Sequence, residues 1–184
     1  MPFRALGARL LLLLCLLGAW ASVSGQERNM AAREAQAAPR VALVVGNGAY
    51  AEAPLRNALN DARGMVAALQ GMGFEVQLLE NGDLQQMDQA VREFGRRLRS
   101  AKVGLFYYAG HALQIRGRNY LIPLGARFEQ EDEVAYRSLD VGQVLDKMDS
   151  ARTPTNLMIL DACRTNPFQK YFRASRHGLT CGQR

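Results

Sequence analysis

Four short apolar runs, separated by helical patterns, constrain the fold of this chain more than any other feature of its sequence. The runs cover residues 41–45, 74–78, 103–109 and 157–160. They are strongly apolar, although the run 74–78 is apolar only at alternate positions. They predict strands, of which the first, third and fourth are buried on both faces. Between them, apolar residues recur every three or four positions over 55–69, 84–98 and 141–148, as on one face of a helix. Strands that alternate with helices predict an α/β fold with a mainly parallel sheet.

Two local patterns add detail to this fold. Asp83 immediately precedes the second helical pattern and can cap its N-terminus. Leu113–Ile115 and Asn119–Ile122 flank the polar turn Arg116–Arg118, which predicts a small hairpin after the third strand.

Residues 1–25 carry the pattern of a secretory signal peptide. Two arginines precede the apolar run Leu10–Leu17, and small residues follow at the A-x-A spacing that a signal peptidase accepts. The apolar stretch ends at Ala21 and is shorter than the roughly 20 residues that a membrane-spanning helix needs. We predict cleavage after Ala21 or Gly25, with export to the periplasm or the extracellular space and no membrane span after cleavage. The polar run 26–39 is then a linker.

Composition is that of one globular domain, over residues 40–184. Apolar residues make up 48% of the chain, and three cysteines are too few for a disulfide-dense miniprotein. The formal charge of +6 falls to +4 once the two arginines of the signal peptide are removed, which is too mild to indicate nucleic-acid binding. Two histidines leave little room for a histidine-built metal site, and no metal ligands are assigned.

A dinucleotide-binding motif is matched at the end of the first strand. Gly46–Ala51 fits G-x-G-x-x-A, a motif that needs a helix opening at its second glycine. Pro54 stands where that helix interior should lie, and the periodic apolar residues begin only at Leu55. The second strand ends at Glu80, much further along than the expected ribose-binding acid. Nucleotide binding is therefore a weak rival interpretation.

A histidine and a cysteine follow the third and fourth predicted strands. Functional groups of parallel α/β sheets collect beyond the carboxyl ends of the strands, so His111 and Cys163 are expected at the same edge. An imidazole raises the thiolate fraction of a neighbouring thiol and protonates the leaving amine. The alternative is a packed cysteine and a bystander histidine. His177 and Cys181 follow no strand and are read as incidental, although a Cys163–Cys181 disulfide could form and would block the nucleophile.

At these positions the sequence resembles the caspase-like cysteine peptidases, and among them the bacterial metacaspase-type members. The resemblance rests on Tyr107–Ala112 (YYAGHA) and Asp161–Phe168 (DACRTNPF), with Val44–Asn47 and Asn60–Ala62 upstream. The histidine precedes the cysteine by 52 residues, close to the interval of about 50 in caspases. The resemblance covers roughly residues 40–168 and implies a caspase-like three-layer sandwich.

The resemblance also implies the roles of five residues. Cys163 is expected to be the nucleophile and His111 the acid and base. The backbone N–H groups of Cys163 and Ala112 are expected to form the oxyanion hole, with alanine at a position where glycine is commoner. Asp161 and Asp61 are expected to line a pocket for Arg or Lys, and a carboxylate beside the nucleophile would attract a cation on charge alone. For Asp61, a structural capping role is equally open.

The predicted function is that of an exported cysteine endopeptidase that cleaves protein or peptide substrates after Arg or Lys. The alternative is a non-catalytic interaction module with the same fold. No cofactor is expected to be required. Calcium dependence is known for some metacaspases, but the acidic segment Glu129–Glu133 is more typical of a solvated loop, and no calcium ligands are assigned.

The end of the chain carries a separate expectation. The chain has 184 residues, and 171–184 holds no apolar run long enough for a core strand. We therefore expect the domain to be incomplete at its C-terminus, with the last strands of the sheet missing. The fourth strand would then be an exposed edge through which two copies could dimerise, and peptidase activity would be negligible.

Overall fold

The central element of the computed structural model, which describes residues 39–162, is a four-stranded parallel sheet. Its strands lie in the order β2-β1-β3-β7. They are β1 (Arg40–Gly46), β2 (Phe74–Glu80), β3 (Val103–Ala109) and β7 (Thr155–Asp161). The predicted signal peptide, residues 26–38 of the predicted linker, Cys163 and the tail with His177 and Cys181 lie outside the described residues.

Helices cover both faces of the sheet and produce three layers. The helices are α1 (Ala58–Gly71), α2 (Leu84–Leu98), the one-turn α3 (Val134–Arg137) and α4 (Val141–Ala151). Helix α1 packs on one face, against the alternate residues Ala42, Val44 and Leu105 of the strands. Helices α2 and α4 pack on the other face, against Leu43 and Phe106. The predicted α/β class is confirmed, because each strand alternates its side chains between two separate cores.

The second helix begins as predicted. The Asp83 side chain accepts the Gln86 N–H at 2.8 Å, and the Gln86 side chain accepts the Asp83 N–H at 3.0 Å. This reciprocal pair is a capping box, which satisfies two N–H groups that a helix end leaves without partners. Within residues 39–162, none of the helices has the length and apolar character that a membrane crossing requires.

A small antiparallel sheet follows β3. Strands β4 (Ala112–Ile115) and β5 (Arg118–Leu121) form the predicted hairpin, and β6 (Leu139–Asp140) pairs with β5. Arg116 and Gly117 at the turn both have positive φ, of 50° and 80°, which matches the twist of a two-residue hairpin. A third core lies beneath this sheet and contains Tyr50, Leu113, Tyr120, Ile122, Phe128 and Val134.

Two sequence-based expectations need correction. The first helix begins at Ala58 and not near Leu55, because the Leu55 N–H donates to the Gly48 carbonyl at 2.9 Å and closes a loop there. The fourth predicted strand, β7, is not buried on both faces: Leu157 and Ile159 are 46% and 41% exposed. In the described sheet β7 pairs only with β3, so it forms an exposed edge.

The register of the sheet brings three strand ends together. Ala109, at the end of β3, lies opposite Gly46 on one side and Asp161 on the other. Whatever follows these three residues therefore starts from the same edge of the sheet.

Candidate active site

Three residues that the sequence singled out line one cleft at the carboxyl edge of the sheet. His111 follows β3 after a single glycine, Asp161 ends β7, and Asp61 lies in the first turn of α1. The cleft has a volume of about 220 Å³. The carboxyl ends of parallel strands meet there, which is why residues far apart in sequence become neighbours. Cys163 comes two residues after Asp161 and lies outside the described residues.

The imidazole of His111 is held from both its ring and its backbone. Its Nε2 lies 2.7 Å from the Ala53 carbonyl oxygen. Because a carbonyl can only accept, Nε2 carries the proton and the neutral ring keeps its lone pair on Nδ1. The His111 N–H donates to the Tyr50 hydroxyl at 3.2 Å, and the His111 carbonyl accepts from the Tyr108 hydroxyl and the Ile122 N–H. The arrangement presents Nδ1 as a base.

Two buried tyrosines contact His111. The hydroxyls of Tyr50 and Tyr108 lie 3.1 Å apart, and burial raises the pKa of both, so they remain protonated donors at neutral pH. The Tyr50 ring also contacts the His111 ring, with centroids 4.5 Å apart. A Cβ on Gly110 would lie 2.6 Å from Tyr108 Cζ and 2.9 Å from the Tyr50 hydroxyl. Glycine before the histidine is therefore required by this packing.

The two acids of the cleft share a buried tyrosine. The Tyr107 hydroxyl donates to Asp161 Oδ2 at 3.2 Å. Burial raises the pKa of Tyr107 to about 12, and the negative charges of Asp161 and Asp61 act in the same direction. Asp161 thus contacts this hydroxyl directly, and Asp61 lines the same cleft. Arg56, an exposed cation, lines the same cleft.

Ala112 stands where the resemblance places an oxyanion donor. It begins β4 and pairs with Leu121. Among the described residues other than glycine, positive φ occurs at Asn81, Arg116 and Arg152 and not at Ala112. The alanine is thus accommodated at this position without backbone strain.

Comparison with known proteins identifies the family that this edge geometry suggests. Residues 39–180 match the caspase domain family. The chain belongs to that family. Over 126 residues it is 33% identical to the mucosa-associated lymphoid tissue lymphoma translocation protein 1 of Homo sapiens, and equally to its homologue from Mus musculus.

The shared region is a small part of those relatives. It covers 68% of this chain but 15% of each of the two proteins.

A second cleft meets the first at His111. It has a volume of about 510 Å³ and is lined by His111, Tyr50, residues 51–53 and residues 125–129. Because His111 lines both clefts, a bound chain could extend from the imidazole in two directions.

The acidic segment of the caspase domain mainly stabilises its own backbone. Glu133 Oε2 accepts the N–H groups of Glu129, at 2.7 Å, and Gln130, and these bonds lower the pKa of Glu133. Glu133 also pairs with Arg137 at 3.7 Å. Residues 39–162 contain no cluster of three histidine, cysteine or acidic side chains able to hold a metal ion. The sequence predicted a solvated loop for this segment. The structure differs in one respect: the segment ends in a short helical turn, Glu131–Glu133.

The glycines of the dinucleotide-like motif serve packing in the caspase domain. A Cβ on Gly46 would lie 2.7 Å from the Ala62 Cβ, and one on Gly48 would lie 2.7 Å from the Leu55 carbonyl oxygen. The glycines let α1 and its preceding loop approach β1 closely. Since α1 begins at Ala58, its N-terminus does not open at the second glycine as nucleotide binding requires.

Asn47, between these glycines, ties three loops together. Its side chain is fully buried, accepts the Gly82 N–H at 2.9 Å and donates to the carbonyls of Gly82 and Ile122.

The sequence analysis gave no role to several residues that contribute to the site, among them Asn47, Ala53, Arg56 and Tyr107, although Asn47 and Tyr107 lie in the quoted motifs. Ala53 acts through its backbone and leaves no side-chain signal. Tyr107 could have been found from the alternation of β3, which directs it to the face that α1 covers.

Proposed function

We propose that this caspase domain is a cysteine endopeptidase in which Cys163 is the nucleophile and His111 transfers the protons. The observation that carries the proposal is the hydrogen bond from His111 Nε2 to the Ala53 carbonyl, at 2.7 Å. It leaves the lone pair of a buried imidazole on Nδ1, at the sheet edge to which β7 leads. Cys163 follows that strand by two residues.

The reaction runs in two halves. His111 Nδ1 takes the proton of the Cys163 thiol, and the thiolate attacks the carbonyl carbon of the scissile peptide bond. The backbone N–H groups of Ala112 and Cys163 stabilise the oxyanion. The C–N bond breaks as the imidazolium gives its proton to the leaving amine, which leaves a thioester. Water, deprotonated by Nδ1, attacks the thioester, and the thiol is restored with a carboxylic acid as product.

The cleft beside His111 supports a preference for Arg or Lys before the scissile bond. It holds the carboxylates of Asp61 and Asp161 against the single cation Arg56. A tenfold preference over Asp requires about 1.4 kcal/mol, to which the attraction of a cation and the repulsion of an acid by the two carboxylates both contribute. The second cleft, which His111 also lines, gives room for more of a substrate chain, and this favours an endopeptidase over an exopeptidase.

Labelling of the full chain with an Arg-directed acyloxymethyl ketone tests the proposal, with intact and peptide mass spectrometry as the readout. We expect one label on Cys163, loss of the label in Cys163→Ala, and strongly slowed labelling in His111→Ala. Cys181→Ala is the matched control and should label normally. An Asp-directed reagent should react at least tenfold more slowly. Label on Cys181, or a faster Asp reagent, would contradict the assignment.

A non-catalytic interaction module is the second candidate, and the exposed apolar edge of β7 favours it. A folded chain that takes no label would support this module.

Turnover of Arg peptides, measured with a chelator and then with added calcium, decides whether calcium is needed. A rate that rises on addition of calcium would show that the ion is needed, and an unchanged rate would show that it is not.

We propose export as part of the same function. Mass spectrometry of the N-terminus of the protein recovered after expression should show a start at Ser22 or Gln26. Recovery of a mature protein that still begins at Met1 would contradict it.

A further inference from the structure

We infer that Tyr107 is a positioning residue of the acidic cleft, whose hydroxyl orients the Asp161 carboxylate toward a cationic ligand. The inference rests on the proposed function in one respect, namely that the cleft with Asp61 and Asp161 receives a cationic side chain. It concerns binding of the cation and does not require catalysis by Cys163.

The geometry places Tyr107 beneath the cleft. Tyr107 is 3% exposed and lies in the core under α1, among residues that include Ala58 and Ala62. Helix α1 carries Asp61 between those two alanines in sequence, and β7 carries Asp161 beside β3. The hydroxyl donates to Asp161 Oδ2 at 3.2 Å. The buried side chain of Tyr107 thus contacts the exposed carboxylate of Asp161.

A neutral donor suits this position better than a charged one. A lysine or arginine beside Asp161 would orient the carboxylate but cancel the charge that attracts the ligand. A tyrosine hydroxyl orients Oδ2 and leaves both the charge and Oδ1 available to a guanidinium or ammonium group. Because burial and the two carboxylates raise the pKa of Tyr107 to about 12, the hydroxyl keeps its proton throughout the working range of pH.

Packing alone does not call for a hydroxyl at this strand position. The adjacent Phe106 is fully buried on the opposite face of β3, so the same strand holds a phenylalanine without difficulty. Tyr107→Phe should therefore keep the ring and its packing, and remove only the hydrogen bond to Asp161.

Binding of agmatine to the full chain tests the inference, by titration calorimetry or by chemical-shift titration. Agmatine is a guanidinium probe and needs no active nucleophile. Tyr107→Phe should weaken agmatine binding about five- to tenfold, the size expected for one ordinary intramolecular hydrogen bond. In a chain that already carries Asp161→Asn, the same substitution should change the affinity less than twofold. Tyr120→Phe, which removes the hydroxyl of a tyrosine buried in a different core, is the matched control and should bind normally.

Three outcomes overturn the inference. Equal affinity of the unsubstituted chain and Tyr107→Phe would show that the hydroxyl does not act on the ligand. An equal loss with and without Asp161→Asn would show a general structural effect. No binding of agmatine to the unsubstituted chain would refute the cation pocket as well. A chain that binds agmatine as expected but takes no label on Cys163 would refute the peptidase proposal and leave this inference standing.

Discussion

Replacement of Asn47 provides a quantitative test of how the loops around His111 are held. In Asn47→Ala, the Gly82 carbonyl still accepts the Leu124 N–H at 2.9 Å, and the Ile122 carbonyl still accepts the tyrosine hydroxyls. The Gly82 N–H loses the Asn47 oxygen, which is its hydrogen-bond partner. An unsatisfied buried donor costs about 1–3 kcal/mol, and lost packing about 1 kcal/mol more, so we expect a loss of about 2–4 kcal/mol.

Asn47→Asp separates hydrogen bonding from packing, because it has nearly the same shape. One carboxylate oxygen can still accept the Gly82 N–H, but the other faces the carbonyls of Gly82 and Ile122 with no proton to donate. At neutral pH this variant should be less stable than Asn47→Ala, because it buries an unpaired charge. Burial raises the pKa of the introduced carboxyl in the folded state. Its stabilising contribution is thus present below the unfolded pKa of about 4 and is lost as the pH rises through the folded pKa.

Urea unfolding followed by circular dichroism measures these differences. The expected order of stability at pH 7 is unsubstituted chain, Asn47→Ala, then Asn47→Asp, and at pH 4 the aspartate variant should recover relative to alanine. Asn60→Ala, on the exposed face of α1, is the control and should change stability by less than about 0.5 kcal/mol. The reasoning fails if Asn47→Ala is as stable as that control, or if Asn47→Asp does not respond to pH.

Three further predictions concern other parts of the domain. In urea unfolding, Gly110→Ala should lower the free energy of unfolding by about 2 kcal/mol or more, since its Cβ would overlap Tyr108. Gly64 on α1 has open space around it, so Gly64→Ala should raise the free energy of unfolding by about 0.5–1 kcal/mol. The urea midpoint should fall as the pH rises above 10, because unfolded tyrosines ionise there while Tyr107 stays protonated to about 12, and Tyr107→Phe should show a smaller fall. Ile159→Lys, at the exposed edge of β7, should reduce any concentration-dependent association seen by sedimentation velocity, and unchanged association would exclude this edge as the contact.

Local sequence patterns were sufficient for most of the fold. Alternation and apolar runs located the four parallel strands, the three- and four-residue spacing located α2 and α4, and Asp83 marked the start of α2. These features depend on neighbours within one turn or one strand, so they can be read from the chain directly. The parallel direction of the strands also led to the prediction that His111 and Cys163 lie at one edge. His111 and Asp161 line one cleft there, and Cys163 lies outside the described residues.

Features set by contacts between distant segments could not be read in this way. The Leu55 N–H donates to the Gly48 carbonyl and delays the first helix, the Ala53 carbonyl selects the tautomer of His111, and Tyr107 contacts Asp161 on the adjacent strand. Residue type and spacing determine which helices and strands form and which strand each reactive side chain follows. Hydrogen bonds and burial between elements exist only after those elements pack, and here they determine the proton position on the histidine and the environment of the two acids.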